Sequence, residues 1–325
     1  MEEISCTAIA HPNIALIKYW GNRDEQFHIP TSGSISINLD ELFTKTTITF
    51  SKDYSQDRLF FNGSPTTGEF LQRTSRFLNL IRRLAKIDYC AEIHSTNNFP
   101  TGAGIASSAS AFAALSLAAS QALHLHLNQK ELSRLARLGS GSACRSIPPG
   151  FVEWLPGNSD EDSYAISIAP PSHWNLVDCI AVFSREPKRI SSLEGHRLAN
   201  TSPFQNARIQ DTSRRLSICR EAIHDKDFDS LANIVEQDST MMHAVMMTST
   251  PPIFYWEPPS LHLMKLIPGW RKSGLPVCYT LDAGPNVHII TTSEYLERVQ
   301  NQIRQIHGIQ EIITAKVGGG AYIVN

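Results

Sequence analysis

The sequence predicts an α+β fold in two domains. Its 325 residues are 42% hydrophobic and 18% charged, a composition typical of a globular protein with room for two domains. Strand-like and helix-like segments alternate along the chain, with no internal repeat and no low-complexity tract. The pattern breaks at the Pro-rich stretch 170–174. We therefore expect one domain over residues 1–175 and a second over residues 176–325.

The first half of the chain is rich in predicted strands. Residues 34–39 alternate polar and apolar side chains strictly, which favours a strand. Residues 69–85 carry apolar side chains at helical spacing, and the alanine-rich residues 108–125 suit a helix packed closely between other elements. The further elements predicted in this half are strands at 5–9, 44–50, 60–63, 90–95, 151–154 and 165–168, and a helix at 131–138.

The second half alternates strands with longer helices, which is an α+β pattern. The predicted helices are 203–223, 228–243, 259–273 and 294–307. The predicted strands are 176–183, 277–281, 287–291 and 309–316. A glycine-rich tail at 316–321 is either flexible or part of a ligand loop.

Composition excludes several classes of function. A net charge of −2 provides no basic surface for nucleic acid or for an anionic membrane. The six cysteines form no C-x-x-C pair, so neither a zinc site nor a disulfide framework is indicated. The N-terminus lacks the basic and apolar regions of a signal peptide, and residues 105–127 are too polar for a membrane span. We expect a cytoplasmic protein with reduced thiols that acts on small molecules.

The most informative segment is the Pro/Gly turn at 97–110, which leads directly into a helix. Gly102 and Gly104 allow close approach of a ligand to the backbone, and the free N–H groups of a helix N-terminus attract anions. Ser107 and Ser108 either cap the helix or hold a phosphate and its metal. The spacing matches neither the Walker nor the Rossmann glycine motif, so ATPases and dehydrogenases of those classes are disfavoured.

Three further segments carry residues suited to an anionic substrate. Lys18 lies in the largely apolar stretch 13–24, so its ammonium either reaches solvent or is held against an anion. Arg145 lies in the small-residue loop 139–146, either on the surface or gripping a carboxylate or phosphate. Asp282 follows a strand and either caps a turn or serves as a catalytic carboxylate.

These segments carry a family resemblance. Residues 13–24, 97–110, 137–154 and 279–286 resemble the signature segments of the mevalonate diphosphate decarboxylase family, a branch of the GHMP kinase superfamily. The resemblance implies a two-domain GHMP kinase-like α+β fold with a ferredoxin-like second domain, an active site in the interdomain cleft, and a homodimer. The implied reaction uses ATP and Mg²⁺ to phosphorylate the 3-hydroxyl of a mevalonate phosphate, after which phosphate and carbon dioxide leave.

The resemblance also implies roles for individual residues. The catalytic residues are Asp282, Lys18 and Arg145. The ATP- and phosphate-binding residues are Asn98, Gly102, Gly104, Ser107 and Ser108, with Ser108 near magnesium through a phosphate. The substrate-binding residues are Tyr19, Asn22, Arg73, Ser140, Ser142 and Arg145.

One departure from the family pattern suggests a substrate preference. Asn22 stands where the diphosphate-using enzymes usually have a lysine, and residues 32–34 also differ from the usual segment. Loss of one cation removes about 1 to 3 kcal/mol of charge-assisted bonding. We therefore expect mevalonate 5-phosphate to be the substrate and isopentenyl phosphate the product.

Three alternatives to this reading stay open. Arg73 aligns with a diphosphate-binding arginine of the family, which keeps mevalonate 5-diphosphate as the first alternative. A mevalonate 3-kinase without decarboxylation is more remote, because the segments specific to the decarboxylases are present. A ligand-binding protein that has lost catalysis is disfavoured, because both Asp282 and Lys18 are retained.

Overall fold

A computed structural model describes residues 3–100, 105, 107–186 and 190–324. The predicted loop residues Gly102 and Gly104 lie outside this part of the chain. In chain order, the strands are β1 (Ile4–Ala10), β2 (Asn13–Ile17), β3 (Asn22–Asp24), β4 (Ile29–Pro30), β5 (Ser34–Asn38), β6 (Thr44–Ser51), β7 (Arg58–Phe61), β8 (Ser64–Thr66), β9 (Cys90–Asn97), β10 (Phe151–Leu155), β11 (Tyr164–Ala169), β12 (Leu176–Val182), β13 (Val277–Thr280), β14 (Val287–Thr292), β15 (Glu311–Lys316) and β16 (Tyr322–Ile323).

Most of the described helices lie in one run between β12 and β13, where the sequence predicts the helices 203–223, 228–243 and 259–273. In chain order, the helices are α1 (Gly68–Ala85), α2 (Ser107–Ala122), α3 (Gln129–Gly139), α4 (Ser192–Leu198), α5 (Gln205–Gln210), α6 (Thr212–Asp225), α7 (Phe228–Met247), α8 (Pro258–Lys272) and α9 (Leu296–Ile303). A 3-10 helix also covers Gly141–Ser146. None of the helices in the described ranges has the length and apolarity to span a bilayer. All six cysteines are free thiols.

Three main sheets organise the molecule. The first has the order β16-β1-β6-β9-β7-β8, and the second has the order β11-β10-β5-β2. The third, β13-β14-β12-β15, is built entirely from strands after residue 175. β16 returns from the end of the chain to pair with β1, so the C-terminal segment completes the first sheet. The division into domains at residue 175 stays a prediction.

One hydrophobic core joins the two halves of the chain. It contains Ile14 and Leu16 of β2, Ile180 of β12, and apolar side chains of α6 and α7 such as Ile223 and Leu231. A separate core lies between the first sheet and the helices α1 to α3. Because β2 packs into the shared core, residues that follow it are held at the junction of the two halves.

Two buried strands show why polar–apolar alternation in the sequence locates only some strands and does not always mark a solvent-exposed face. All five residues of β2 are buried, so both faces are covered and no alternation in the sequence marks the strand. β5 does alternate, yet all five of its residues are buried as well. Its polar face, including Ser34, lies inside the protein and serves hydrogen bonding rather than contact with solvent.

Several boundaries differ from the sequence prediction. The helix expected at 203–223 is two helices, α5 and α6, which meet at Asp211. α9 ends at Ile303, short of the predicted residue 307. α4 was not predicted, although Ser191 and Glu194 have the spacing of a helix N-terminal capping signature and the Ser191 side chain accepts a hydrogen bond from the Glu194 N–H.

The glycine-rich tail is packed against the first half of the chain. Gly318 donates its N–H to Asn38 O and accepts from Gly150 N, and Asn38 Nδ2 donates to Gly319 O. A Cβ on Gly318 would lie 2.7 Å from the Asp40 nitrogen. These contacts contradict the reading of the tail as flexible, because glycine is needed here for close backbone approach.

Candidate active site

A cavity of about 540 Å³ lies where the two halves of the chain meet, and it is of the size that binds small ligands. It brings together residues that are far apart in sequence. The predicted site residues that line it are Lys18, Tyr19, Arg73, Ser107, Ser108, Ser142, Arg145 and Asp282.

Lys18 and Asp282 form an ion pair at one wall of this cavity. Lys18 follows β2 directly, and Asp282 lies in the turn after β13, where the Gly284 N–H bonds to the Asp282 carbonyl. The Lys18 Nζ lies 2.6 Å from Asp282 Oδ1. The Lys18 side chain is 1% exposed and that of Asp282 is 25% exposed, so the carboxylate keeps access to the cavity while the ammonium is enclosed.

Burial and pairing both act on the charge states of this pair. Burial lowers the pKa of Lys18 below its usual range, although the Asp282 charge opposes that effect. Burial by itself raises the pKa of Asp282, but the charges of Lys18, His288 and Arg145 outweigh it and hold that pKa below its usual range. Asp282 is therefore an ionised carboxylate that can accept a hydrogen bond or a proton from a substrate hydroxyl.

Arg145 is buried and fixed on one side. Its Nε and Nη2 donate to Asn13 Oδ1 at 3.2 and 3.1 Å, and its Nη1 donates to Ser34 Oγ at 2.7 Å. These bonds use three of the five N–H groups of the guanidinium. The two others remain for a ligand at the cavity wall that Arg145 lines, which suits recognition of a carboxylate or phosphate.

The start of α2 provides a second anion-binding feature. Ser107 and Ser108 form its first turn and line the cavity, at the positive end of a 16-residue helix. Ser108 Oγ lies 3.2 Å from Ser140 Oγ, so the α2 segment and the 139–146 loop meet at this point. Ser140 supports Ser108 in this way and is not among the residues that line the cavity.

Tyr19, Asn22 and Arg73 lie at another side of the site. Tyr19 OH donates to Asn22 Oδ1, and burial raises the pKa of the Tyr19 hydroxyl well above its usual range. Asn22 is 5% exposed and does not line the cavity, and its Nδ2 has no partner among the described residues. Arg73 donates to Gly139 O from Nε and Nη2 and lies over the Phe112 ring, 4.8 Å from its centroid.

Asn98, a predicted ATP-binding residue, does not line the cavity. Its side chain is bound to the backbone of a neighbouring loop, donating to Glu41 O at 2.6 Å and accepting from Phe43 N at 2.8 Å. It is exposed and is not among the cavity-lining residues. These contacts orient the turn that precedes α2, while a role in ATP binding stays a prediction.

The cavity also contains residues that sequence reasoning missed. His196 on α4 accepts the Gly21 N–H at Nδ1, 2.9 Å away, and its ring packs against Tyr19 and Trp20. Burial lowers the pKa of His196 to about 3, so the ring is neutral with its proton on Nε2. The capping signature of α4 could have located this helix, but nothing in the sequence indicated which side chain it turns toward the site.

The donor set fits a nucleotide with magnesium. Lys18, Arg73 and Arg145 provide positive charge, and the α2 N-terminus with Ser107 and Ser108 provides N–H and hydroxyl groups for phosphates. No group of three or more His, Cys, Asp or Glu side chains that could hold a metal occurs within the described ranges. Ser108, which the family resemblance places near magnesium through a phosphate, lies in the first turn of α2 and lines the cavity.

Comparison with protein families finds two adjacent matches. The profile described as diphosphomevalonate decarboxylase-like N-terminal domain matches residues 10–165. The profile described as mevalonate 5-diphosphate decarboxylase C-terminal domain matches residues 179–322. Together they cover most of the chain.

Individual proteins that are similar in sequence carry the same family name as the two profiles. The diphosphomevalonate decarboxylase of Ganoderma lucidum is 40% identical over 324 residues, covering 92% of this chain and 81% of the relative. The human diphosphomevalonate decarboxylase is 37% identical, covering 90% of this chain and 77% of the relative.

Solved structures extend the similarity to the fold. Mevalonate diphosphate decarboxylase from Staphylococcus aureus superposes with a TM-score of 0.94 at 39% identity, covering 100% of this chain and 99% of that one. A structure of a protein named MDDEF in complex with MVAPP, AMPPCP and magnesium also gives a TM-score of 0.94 at 39% identity, with 100% of both chains covered. The predicted two-domain GHMP kinase-like α+β fold is confirmed by these matches.

Proposed function

The chain belongs to the diphosphomevalonate decarboxylase family, and we propose from this that it catalyses the ATP-dependent decarboxylation of mevalonate 5-diphosphate to isopentenyl diphosphate. The observation that carries the proposal is the ion pair of Lys18 and Asp282 at the wall of a cavity that Arg73 and Arg145 also line. An ionised carboxylate beside fixed cations suits proton removal from a hydroxyl in the presence of phosphates.

The known relatives favour mevalonate 5-diphosphate as the substrate over the mevalonate 5-phosphate expected from Asn22. The relatives are named for the diphosphate, and one neighbour was solved with MVAPP. Asn22 accepts a hydrogen bond from Tyr19 OH and is not among the residues that line the cavity, so the Asn22 side chain itself gives no reason to prefer the monophosphate. Arg73, which lines the cavity, is a cation for the substrate phosphates.

The side chains have separate tasks in this reaction. Asp282 orients the tertiary 3-hydroxyl and accepts its proton, while Lys18 keeps the carboxylate ionised and stabilises negative charge near it. The free N–H groups of Arg145 hold the substrate carboxylate until it leaves as carbon dioxide. Ser107, Ser108 and the α2 N-terminus hold the nucleotide phosphates. Bound ATP supplies the phosphoryl group, and magnesium neutralises its charge.

Steady-state kinetics with both substrates test the proposal. The purified protein is incubated with ATP, magnesium and either mevalonate 5-diphosphate or mevalonate 5-phosphate, and both ADP and carbon dioxide are measured. We expect a higher kcat/KM for the diphosphate and one carbon dioxide for each ADP. A higher kcat/KM for the monophosphate would restore the substrate expected from Asn22. ADP formation without carbon dioxide would instead indicate a 3-kinase.

The expected homodimer and cytoplasmic location also stay proposals. Sedimentation equilibrium of the purified protein checks the first, with an expected mass twice that of the chain. A mass equal to one chain at micromolar concentration would contradict it. Imaging of the tagged protein in its own cells checks the second.

A further inference from the structure

The main chain of Lys18 is held by two buried charged side chains. Asp238 on α7 is completely buried, and its Oδ2 accepts the Lys18 N–H at 2.6 Å. Arg208 on α5 is 1% exposed, and its Nη2 donates to the Lys18 carbonyl at 2.7 Å. Arg215 on α6 completes the group, with its Nε 2.7 Å from Asp238 Oδ1. Three helices of the second half of the chain thus fix one residue of the first half.

Stability alone accounts poorly for this arrangement. Burying ionic groups carries a large desolvation cost, and well-packed apolar residues often replace such groups without loss of stability. The cost is not fully offset here, because Arg208 Nε and Nη1 have no partner among the described residues. What the charges do supply is a rigid direction for both polar groups of the Lys18 peptide, since charge-assisted hydrogen bonds are stronger than neutral ones.

The position of Lys18 makes this rigidity useful. The residue lies just beyond the end of β2, so the hydrogen-bond ladder of that strand does not fix it. Its side chain must nevertheless reach Asp282, which comes from the other half of the chain, to within 2.6 Å. An error of about 1 Å in the placement of a catalytic group can reduce turnover about 100-fold.

We propose that Asp238 and Arg208 are positioning residues for catalysis, which hold the Lys18 main chain so that its ammonium meets Asp282. The kinetic consequence rests on the proposed function, whereas the effect on Lys18 itself does not.

The charges around Lys18 indicate the direction of each effect. The charged or titratable groups that face it are Asp282 after β13, Asp238 and His243 on α7, Arg145 on the 3-10 helix, and Arg208 on α5. Burial lowers the pKa of Lys18, and the negative charges of Asp282 and Asp238 oppose that effect while Arg145 adds to it. Burial also lowers the pKa of His243 to about 3, so this ring is neutral at working pH.

Two substitutions should disturb Lys18 in different ways. Asp238→Asn removes a negative charge and weakens the hold on the Lys18 N–H. Both changes lower the pKa of Lys18, so the alkaline limb of the kcat/KM profile moves down in pH. Arg208→Met frees the Lys18 carbonyl. In this variant the lost positive charge and a weaker contact with Asp282 act on the pKa of Lys18 in opposite directions, so the placement of the Lys18 ammonium is the readout. We expect kcat to fall about 10-fold or more in both variants.

A matched control lies on the same helix. Glu236 on α7 pairs with Arg271 through two hydrogen bonds of 2.7 and 2.9 Å and does not contact Lys18. Glu236→Gln therefore disturbs a largely buried ion pair of α7 while leaving the Lys18 main chain in place. We expect a lower melting temperature for this variant, with the pH profile and kcat of the wild type.

The titration of Lys18 is also measured without turnover, by NMR of the protein labelled with ¹³C at lysine Cε, with the signal assigned through Lys18→Arg. The expected result is a lower midpoint in Asp238→Asn and the wild-type midpoint in Glu236→Gln. An unchanged midpoint in Asp238→Asn would overturn the proposal. If Asp238→Asn does not fold, a crystal structure of Arg208→Met decides: a Lys18 Nζ to Asp282 Oδ1 distance longer than 2.6 Å supports the proposal, and an unchanged distance overturns it. A protein that shows these changes but does not decarboxylate would refute only the proposed function.

Discussion

Two ionic clusters lie side by side at the junction of the two halves of the chain, and their surroundings differ. The open cluster, Lys18, Asp282 and Arg145, lines the cavity, and its carboxylate is 25% exposed. The closed cluster, Asp238, Arg208 and Arg215, is at most 1% exposed. Lys18 connects the two, through its side chain to the open cluster and through its main chain to the closed one.

The difference lies in how the hydrogen-bonding capacity of the clusters is used. In the open cluster, Asp282 and two N–H groups of Arg145 remain able to meet a ligand. In the closed cluster, both Asp238 oxygens are bound within the protein, to the Lys18 N–H and to Arg215. The charges of the open cluster therefore act on substrate, and those of the closed cluster fix the geometry of the protein. Substitutions in the open cluster should change the rate of the reaction more than the stability of the fold.

Asp282→Asn should have the largest effect. The amide cannot accept the hydroxyl proton, and general base catalysis contributes about 10²-fold to 10⁴-fold, so we expect kcat to fall by about 10³-fold. The amide is nearly the same size, so substrate binding should change far less. Stopped assays of ADP and carbon dioxide measure the first effect, and isothermal titration with the substrate measures the second. Turnover within tenfold of the wild type would show that Asp282 is not the base.

Arg145→Lys tests the ligand-facing side of the open cluster. Lysine keeps the charge but lacks the planar fork, so we expect KM for the mevalonate substrate to rise about 10-fold to 100-fold while KM for ATP changes little.

Ser34→Ala is the control for this substitution, because Ser34 is fully buried and only supports Arg145 from behind, at 2.7 Å. We expect a KM increase of at most a few fold. Equal effects of the two variants would mean that the position of Arg145, rather than its fork, determines binding.

The two clusters also show how far sequence reasoning reaches. Lys18, Arg145 and Asp282 attract notice as charged residues in unusual surroundings, and their family resemblance adds roles. Their meeting is not visible in the sequence, because Lys18 and Asp282 are 264 positions apart and only the tertiary fold joins them. No motif in the sequence marks Asp238 or Arg208 as functional, since each lies within a helix and binds a main-chain group of the distant residue Lys18.

The fold was predictable where one face of an element meets solvent, or where composition marks an element. The strand at β6 and the helix at α1 match the expected positions closely, since the threonine and isoleucine content of the first and the helical spacing of the second mark them. β2 was missed because it is buried on both faces. The break between α5 and α6 was missed because no proline or glycine marks it. Residues 210–215 are all polar, and Asp211 at the break is bonded to Arg214 and Arg215 in the tertiary structure.

Asp211 lies at the rim of the closed cluster, and its substitution should have the smallest of these effects, on stability alone. Hydrogen bonding to Arg214 and Arg215 lowers the pKa of Asp211 from 3.8 to about 2. A shift of this size corresponds to at most about 2.5 kcal/mol, and the 31% exposure of the side chain reduces it to about 1 kcal/mol through solvent screening. Because the folded pKa lies below the unfolded one, this contribution is complete above pH 4 and is lost as the pH falls toward 2.

Urea unfolding of Asp211→Asn at pH 7, 5, 4 and 3 checks this prediction. The variant should be less stable than the wild type by about 1 kcal/mol at pH 7 and 5, and the difference should shrink below pH 4. Glu311→Gln is the matched control, because it removes a more exposed pair with Arg185, whose side chain is 55% exposed. A pair in that position contributes about 0.5 kcal/mol or less. If both variants lose the same free energy of unfolding, Asp211 is only a surface charge and the closed cluster ends at Arg215. A larger loss in Asp211→Asn that shrinks in acid would show that the closed cluster includes Asp211.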